Sequence, residues 1–248
     1  MTTKKTIAKK ETAVPMPSFA KAEGRGSENI TSSDLIIPRI SIVQALSPER
    51  KKTDPAYIEG AEEGMMFNTV TRELYQGAIL VIPVYYRLEF LLWKIRKEGG
   101  GFRGVYPNRE TAYEAARELT ETTELQDTAQ QFCLVSSDSG ETWSEAVLSM
   151  AKSNMSVSRQ WNSDIRLRCG HDNLDRFVTM YYVQSTEKSN DKGDFYIFSI
   201  KFARYLAETE EELYRRAEDI YESIAAGTKD VDRSYDKPEG ETDADVGF

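Results

Sequence analysis

Two stretches of this chain interleave cations with aromatic rings. From Ala78 to Val105, Arg87, Lys94, Arg96, Lys97 and Arg103 outnumber Glu89 and Glu98, a balance of +3. The same stretch carries Tyr85, Tyr86, Phe90, Trp93 and Phe102. From Ala146 to Gly170, Lys152, Arg159, Arg166 and Arg168 face only Asp164, again +3, with Trp161 among them. Cations follow a phosphate backbone, and aromatic faces stack on unpaired bases for about 1–3 kcal/mol per base. In this reading the nine cations neutralise phosphates, while Tyr85, Trp93, Phe102 and Trp161 stack on bases. A competing reading puts strand aromatics in the core, where β-rich proteins most often keep them. Trp93 and Trp161, each with basic neighbours in sequence, are the two expected to be exposed.

Net charge, at -9, argues against a polyanion partner until its distribution is read. Tyr106 to Glu145 carries -7, and residues from Thr228 onward carry -4. The acids are therefore expected to stand apart from the two basic stretches.

Other chemistries find little support. His171 is the sole histidine, and with Cys169 and Cys133 it falls short of the four ligands of a structural zinc site. Neither a GxSxG elbow nor a GxxxxGK[ST] phosphate loop is present. Most acids lie in Glu-rich helical stretches with nearby Arg, which read as solvated faces. The expectation is a binding protein rather than an enzyme, with no catalytic residue, cofactor or metal. A metal-dependent nuclease is the weaker alternative.

The elements that must carry these residues form a β-rich α+β core. "LIIPRISIV" reads as an edge strand started by Pro38, and Ala78–Arg96 as the strongest strand signal, with Pro83 dividing it or marking a bulge. "KEGGGFRGVY" reads as a flexible turn with a returning strand. Asn108 caps a helix over "RETAYEAARELTET". Asp138-Ser139-Gly140 turns a hairpin, "KSNMSVSRQWNSDIRLR" is assigned to a helix, and "RFVTMYYVQ" and "DFYIFSIKF" are strands joined by the polar run "STEKSNDKG". A long amphipathic helix follows, from Tyr205 to Ala226, ended by Gly227 and expected to pack on the core. The expected architecture is an elaborated OB-fold-like Greek-key barrel with inserted helices and a long C-terminal helix. Residues 34–227 form the core, 1–33 a disordered basic tail and 228–248 a disordered acidic tail. The start, "MTTKKTIAKKETAVP", lacks the apolar segment of a secretory signal, and "GAILVIPVYY" is far shorter than the roughly 20 residues of a membrane helix. Two cysteines make no disulfide framework. A soluble protein of the cytoplasm (the host cytoplasm, if phage-encoded) is expected, with no membrane partner and oligomerisation left open.

The last residues, "ETDADVGF", are acidic and end in one large apolar side chain. This tail resembles that of bacterial and phage single-stranded DNA-binding proteins. The resemblance implies that Glu241, Asp243, Asp245 and Phe248 dock on replication proteins such as a polymerase, helicase or primase, and that the tail competes with DNA for the basic groove. Thr242, Ala244, Val246 and Gly247 interrupt the acids more than is typical of that family. The phrases "LIIPRISIVQALSP", "VIPVYYRLEFLLWK" and "SVSRQWNSDI" resemble those of a phage protein group associated with replication regions. The resemblance implies a sequence-independent single-stranded DNA-binding protein of phage replication or recombination. A structural or scaffolding virion protein is the main alternative.

Overall fold

The computed structural model describes residues 36–227 apart from residue 192, together with residues 26, 27, 29 and 231. Nearly all of the two expected tails, with Glu241, Asp243, Asp245 and Phe248, lies outside the described residues.

β-Branched and aromatic residues fill Ile79–Lys94, and this 16-residue strand, β4, is the spine of the molecule. The other strands are β1 (Ile40–Ile42), β2 (Met66–Asn68), β3 (Leu74–Tyr75), β5 (Phe102–Tyr106), β6 (Thr123–Ser136), β7 (Ser144–Ala151), β8 (Thr179–Asn190) and β9 (Gly193–Tyr205). Helices are α1 (Arg109–Glu118), α2 (Asn154–Cys169) and α3 (Glu211–Ala225). β4 pairs antiparallel with β6 along almost its whole length, with β8 near its start and with β5 near its end. The large sheet runs β7-β6-β4-β8-β9, with β5 beside the far end of β4; β1, β2 and β3 form a small second sheet.

A bulge at Pro83 sets which side chains go where. The β4–β6 register slips between Pro83 and Tyr85. Ile79 and Val81 face one core cluster, Ile82 and Val84 the other. After the bulge Tyr85 joins Val84's side and Tyr86 joins Val81's. An extra residue thus flips the alternation of everything downstream.

Each face of the sheet is covered by one helix. α3 lays Ala217, Ile220 and Ile224 on Ile82, Phe132 and Leu134. α2 lays Trp161, Ile165 and Cys169 on Ala129, Cys133 and Tyr181. A buried polar network fixes α2 in place. Gln131 Nε2 donates to Ser158 Oγ and to Asn162 Oδ1, both at 3.0 Å. Arg176 Nη2 donates to Gln131 Oε1 at 2.8 Å. Burial pushes the Arg176 pKa down, because no carboxylate among the described residues pairs with it.

The barrel expectation needs correction. Among the described residues no ladder joins β7 to β9, so the strands form an open sheet rather than an OB-fold-like Greek-key barrel. The chain before and after β1 spans the gap instead. Val147 N on β7 donates to Pro38 O at 2.8 Å. On β9, Gln44 pairs both ways with the Tyr196 backbone at 2.9 Å, and Asn154 Oδ1 accepts from Phe198 N at 2.9 Å. These contacts occupy edge groups that would otherwise invite another strand. The β-rich α+β class itself holds: antiparallel sheets dominate, with three helices.

Two boundaries also move. Much of "STEKSNDKG" is not a loop but the outer half of β8, paired with β9 up to Asn190↔Gly193. Tyr205 ends β9, and α3 begins at Glu211 after a 3-10 turn over Glu208–Glu210. No helix of the described residues is long and apolar enough to cross a membrane.

Candidate nucleic-acid interface

The two basic stretches fold into different surroundings. The first lies largely in a distal lobe made by the end of β4, β5, α1 and the start of β6. Glu121, just before β6, forms ion pairs with Lys94 at 3.0 Å and with Arg103. Arg103 and then Lys94 hold the Glu121 carboxyl down at about 2. Arg87 pairs with the buried Glu89 at 2.8 Å and lies over the Phe132 ring. Trp93 and Phe102 pack edge-on, ring centres 5.4 Å apart, both half-buried. Tyr85 is half-buried under α3, between Phe132 and Tyr221. Lys97 is exposed on a turn where Gly99, Gly100 and Gly101 all have positive φ, a backbone glycine adopts freely. The side chain of Arg96 lies outside the described residues.

The second stretch becomes one helix face. Lys152, Ser156, Arg159, Ser163 and Arg166 follow one another at steps of four and three, and all are exposed. Within α2 that spacing places Ser156, Arg159, Ser163 and Arg166 on one side, a stripe about 15 Å long at 1.5 Å per residue, and Lys152 lies just before the helix. Lys152 sits in the β7–α2 turn with φ 50°. Among the described residues no acid pairs with Lys152, Arg159 or Arg166. The two serines cap backbone carbonyls, Ser156 to Ser153 and Ser163 to Arg159, each at 2.9 Å.

Beside this stripe, α2 and the β8–β9 hairpin line an open cavity of about 560 Å³. Val157, Gln160, Asp164 and Arg168 line it from α2; Lys188, Ile200, Lys201 and Phe202 line it from the hairpin. Arg168 is held over the Phe202 ring, its Cζ 3.5 Å from the ring centre, by Asp164 Oδ2 at 2.7 Å. Tyr181 donates to the same oxygen at 2.9 Å. Burial alone would raise the Asp164 carboxyl, but Arg168 and Tyr181 outweigh it and keep it below its ordinary value.

Several sequence expectations are thereby corrected. Trp161 is only 2% exposed and packs edge-on Tyr181 at 5.5 Å, so it supports α2 from below instead of offering a face to a base. Tyr85 and Arg87 belong to the α3 side, Trp93, Lys94, Phe102 and Arg103 gather in the distal lobe, and Lys152, Arg159, Arg166 and Arg168 lie on or just before α2. Sequence reasoning missed Gln160, Lys188, Lys201 and Phe202; Lys188 was hidden in a run read as loop. Cys169 is buried while the neighbouring His171 side chain is 95% exposed, so these two do not converge on a metal. Among the described residues no group of three or more His, Cys, Asp or Glu is placed to hold one.

Comparison with known families then places the molecule. The chain belongs to the Pam3 phage gp34-like protein family. The family model matches residues 8–230, which covers every described residue except Val231 and makes this a phage-type protein. No curated protein and no solved structure matches the chain.

Proposed function

We propose that this phage-family protein binds single-stranded DNA, largely without regard to sequence, along the outer face of α2. The observation that carries the reading is the stripe of Lys152, Arg159 and Arg166, exposed and without an acidic partner among the described residues. Three cations along α2 and the turn before it match a phosphate backbone, and the adjoining cavity can receive bases that a duplex keeps stacked. In this reading the protein covers unwound DNA during phage replication or recombination, and Glu241, Asp243, Asp245 and Phe248 engage replication proteins.

Two further points support binding over the alternatives. A virion scaffold built by strand addition would need open sheet edges, whereas Pro38 meets β7 and Gln44 and Asn154 meet β9. A two-metal nuclease would need converging carboxylates, and among the described residues none converge in threes.

Anisotropy of a labelled poly-dT strand tests the reading. Binding at low salt is expected, with an inverse dependence on salt and a preference over duplex. No binding at low salt, or unchanged binding by an Arg159→Glu/Arg166→Glu variant, would overturn it.

A further inference from the structure

We propose that the cavity between α2 and the β8–β9 hairpin holds one base of the bound strand and favours guanine; this rests on the single-strand reading above. At about 560 Å³ the cavity falls in the size range of small-molecule sites and exceeds what one base needs. Its walls supply the two things base recognition requires.

The first is a stacking surface. Arg168 lies on Phe202 and its side chain remains 31% exposed; a base would stack on the guanidinium face turned away from the ring. Asp164 fixes that plane, so little freedom is lost when a base stacks on it.

The second is an edge. Gln160 and Asp164 stand one helical turn apart and both line the cavity, with β-carbons about 5–6 Å apart at that spacing. Asp164 Oδ2 is taken by Arg168 and Tyr181, while Oδ1 has no hydrogen-bond partner among the described residues. Gln160 is exposed, and its amide makes no side-chain hydrogen bond among the described residues. A carboxylate only accepts, and an amide NH₂ donates. Guanine alone presents two adjacent donors, N1–H and N2–H₂, next to an acceptor, O6. The donors suit Asp164 and the acceptor suits Gln160. Adenine and cytosine would set a ring-nitrogen lone pair against the carboxylate. Thymine offers one donor between two acceptors.

The test uses the full chain and four labelled strands, all dT except one central position carrying G, A, C or T. The G strand should bind about tenfold tighter than the others, the scale of one well-made polar readout. Gln160→Ala and Asp164→Asn should each shrink that preference to about twofold or less, and their circular dichroism should remain that of the wild type. Equal binding of all four strands by a protein that still binds dT would overturn the guanine inference and leave the single-strand reading standing. Failure to bind any strand would sink the single-strand reading. In that event titration with free dGMP and dAMP decides the cavity: selective dGMP binding upholds it, and equal or absent binding overturns it.

Discussion

The distal lobe and the outer face of α2 start from the same charge balance, +3, and end as opposite surfaces. In the lobe, Lys94 and Arg103 close on Glu121, and nearer the middle of β4, on the α3 side, Arg87 closes on Glu89. On α2, among the described residues, Arg168 is paired by Asp164 and no acid pairs with the stripe beside it. A linear count treats Glu121 as part of a separate acidic stretch, yet the β4–β6 ladder carries it back onto β4. Charge that is free to meet a polyanion is therefore a property of the pairing, not of the segment. Ions already paired in the fold offer a strand little that it does not have to displace.

The comparison can be broken from several sides. The largest effect is on the platform beneath the stripe. Trp161→Ala should cost about 3–5 kcal/mol of stability, read from urea unfolding, because it empties a core position. A cost near zero would mean that the indole is not core and would reopen the stacking role. Next comes charge reversal on α2. Arg159→Glu/Arg166→Glu should weaken poly-dT binding by about 100-fold at moderate salt, since two attractive contacts become repulsive.

A smaller effect should appear when the lobe is unlocked. Glu121→Gln removes the carboxylate that pairs with Lys94 and Arg103, and poly-dT affinity should rise by about two- to fivefold. The same variant has a pH signature. The folded Glu121 carboxyl is held down at about 2, below its ordinary value of 4.5, so its stabilising contribution is full above that ordinary value. The contribution is lost as pH falls through that interval, because the unfolded chain takes up the proton first. Thermal melts should show a shallower loss between about pH 4.5 and 2 in Glu121→Gln than in the wild type; parallel curves would contradict the pairing. The smallest effect is at the β7–α2 turn. Lys152→Gly removes one cation and relieves a positive φ, so affinity should fall about threefold with no loss of stability.

Much of the fold was legible. Asn108 caps α1 as its type foretells, its Oδ1 accepting from Thr111 N at 2.9 Å. The Asp138-Ser139-Gly140 turn forms, with positive φ at Ser139 and Gly140, and Pro83 marks a bulge within one strand. The misread parts have a common cause. Basic neighbours made Trp161 look exposed, but residues two and five apart on a helix lie on roughly opposite sides, so Arg159 and Arg166 point outward because Trp161 points inward. The run after Ser185 has no apolar alternation because the outer β8–β9 hairpin buries little on either side; backbone pairing alone extends it. The open sheet was hidden because closure depends on which edges meet, and here the side chains of Gln44 and Asn154 end one of them.

The most direct test of the account matches the two regions charge for charge. Arg159→Gln/Arg166→Gln and Lys94→Gln/Arg103→Gln each remove two cations. Their poly-dT affinities, measured side by side across a salt series, should diverge. The α2 pair should lose about tenfold, with a salt slope lower by about 1.4, and the lobe pair should stay within about twofold of the wild type. Equal losses, or a larger loss from the lobe pair, would contradict the assignment of the strand to α2.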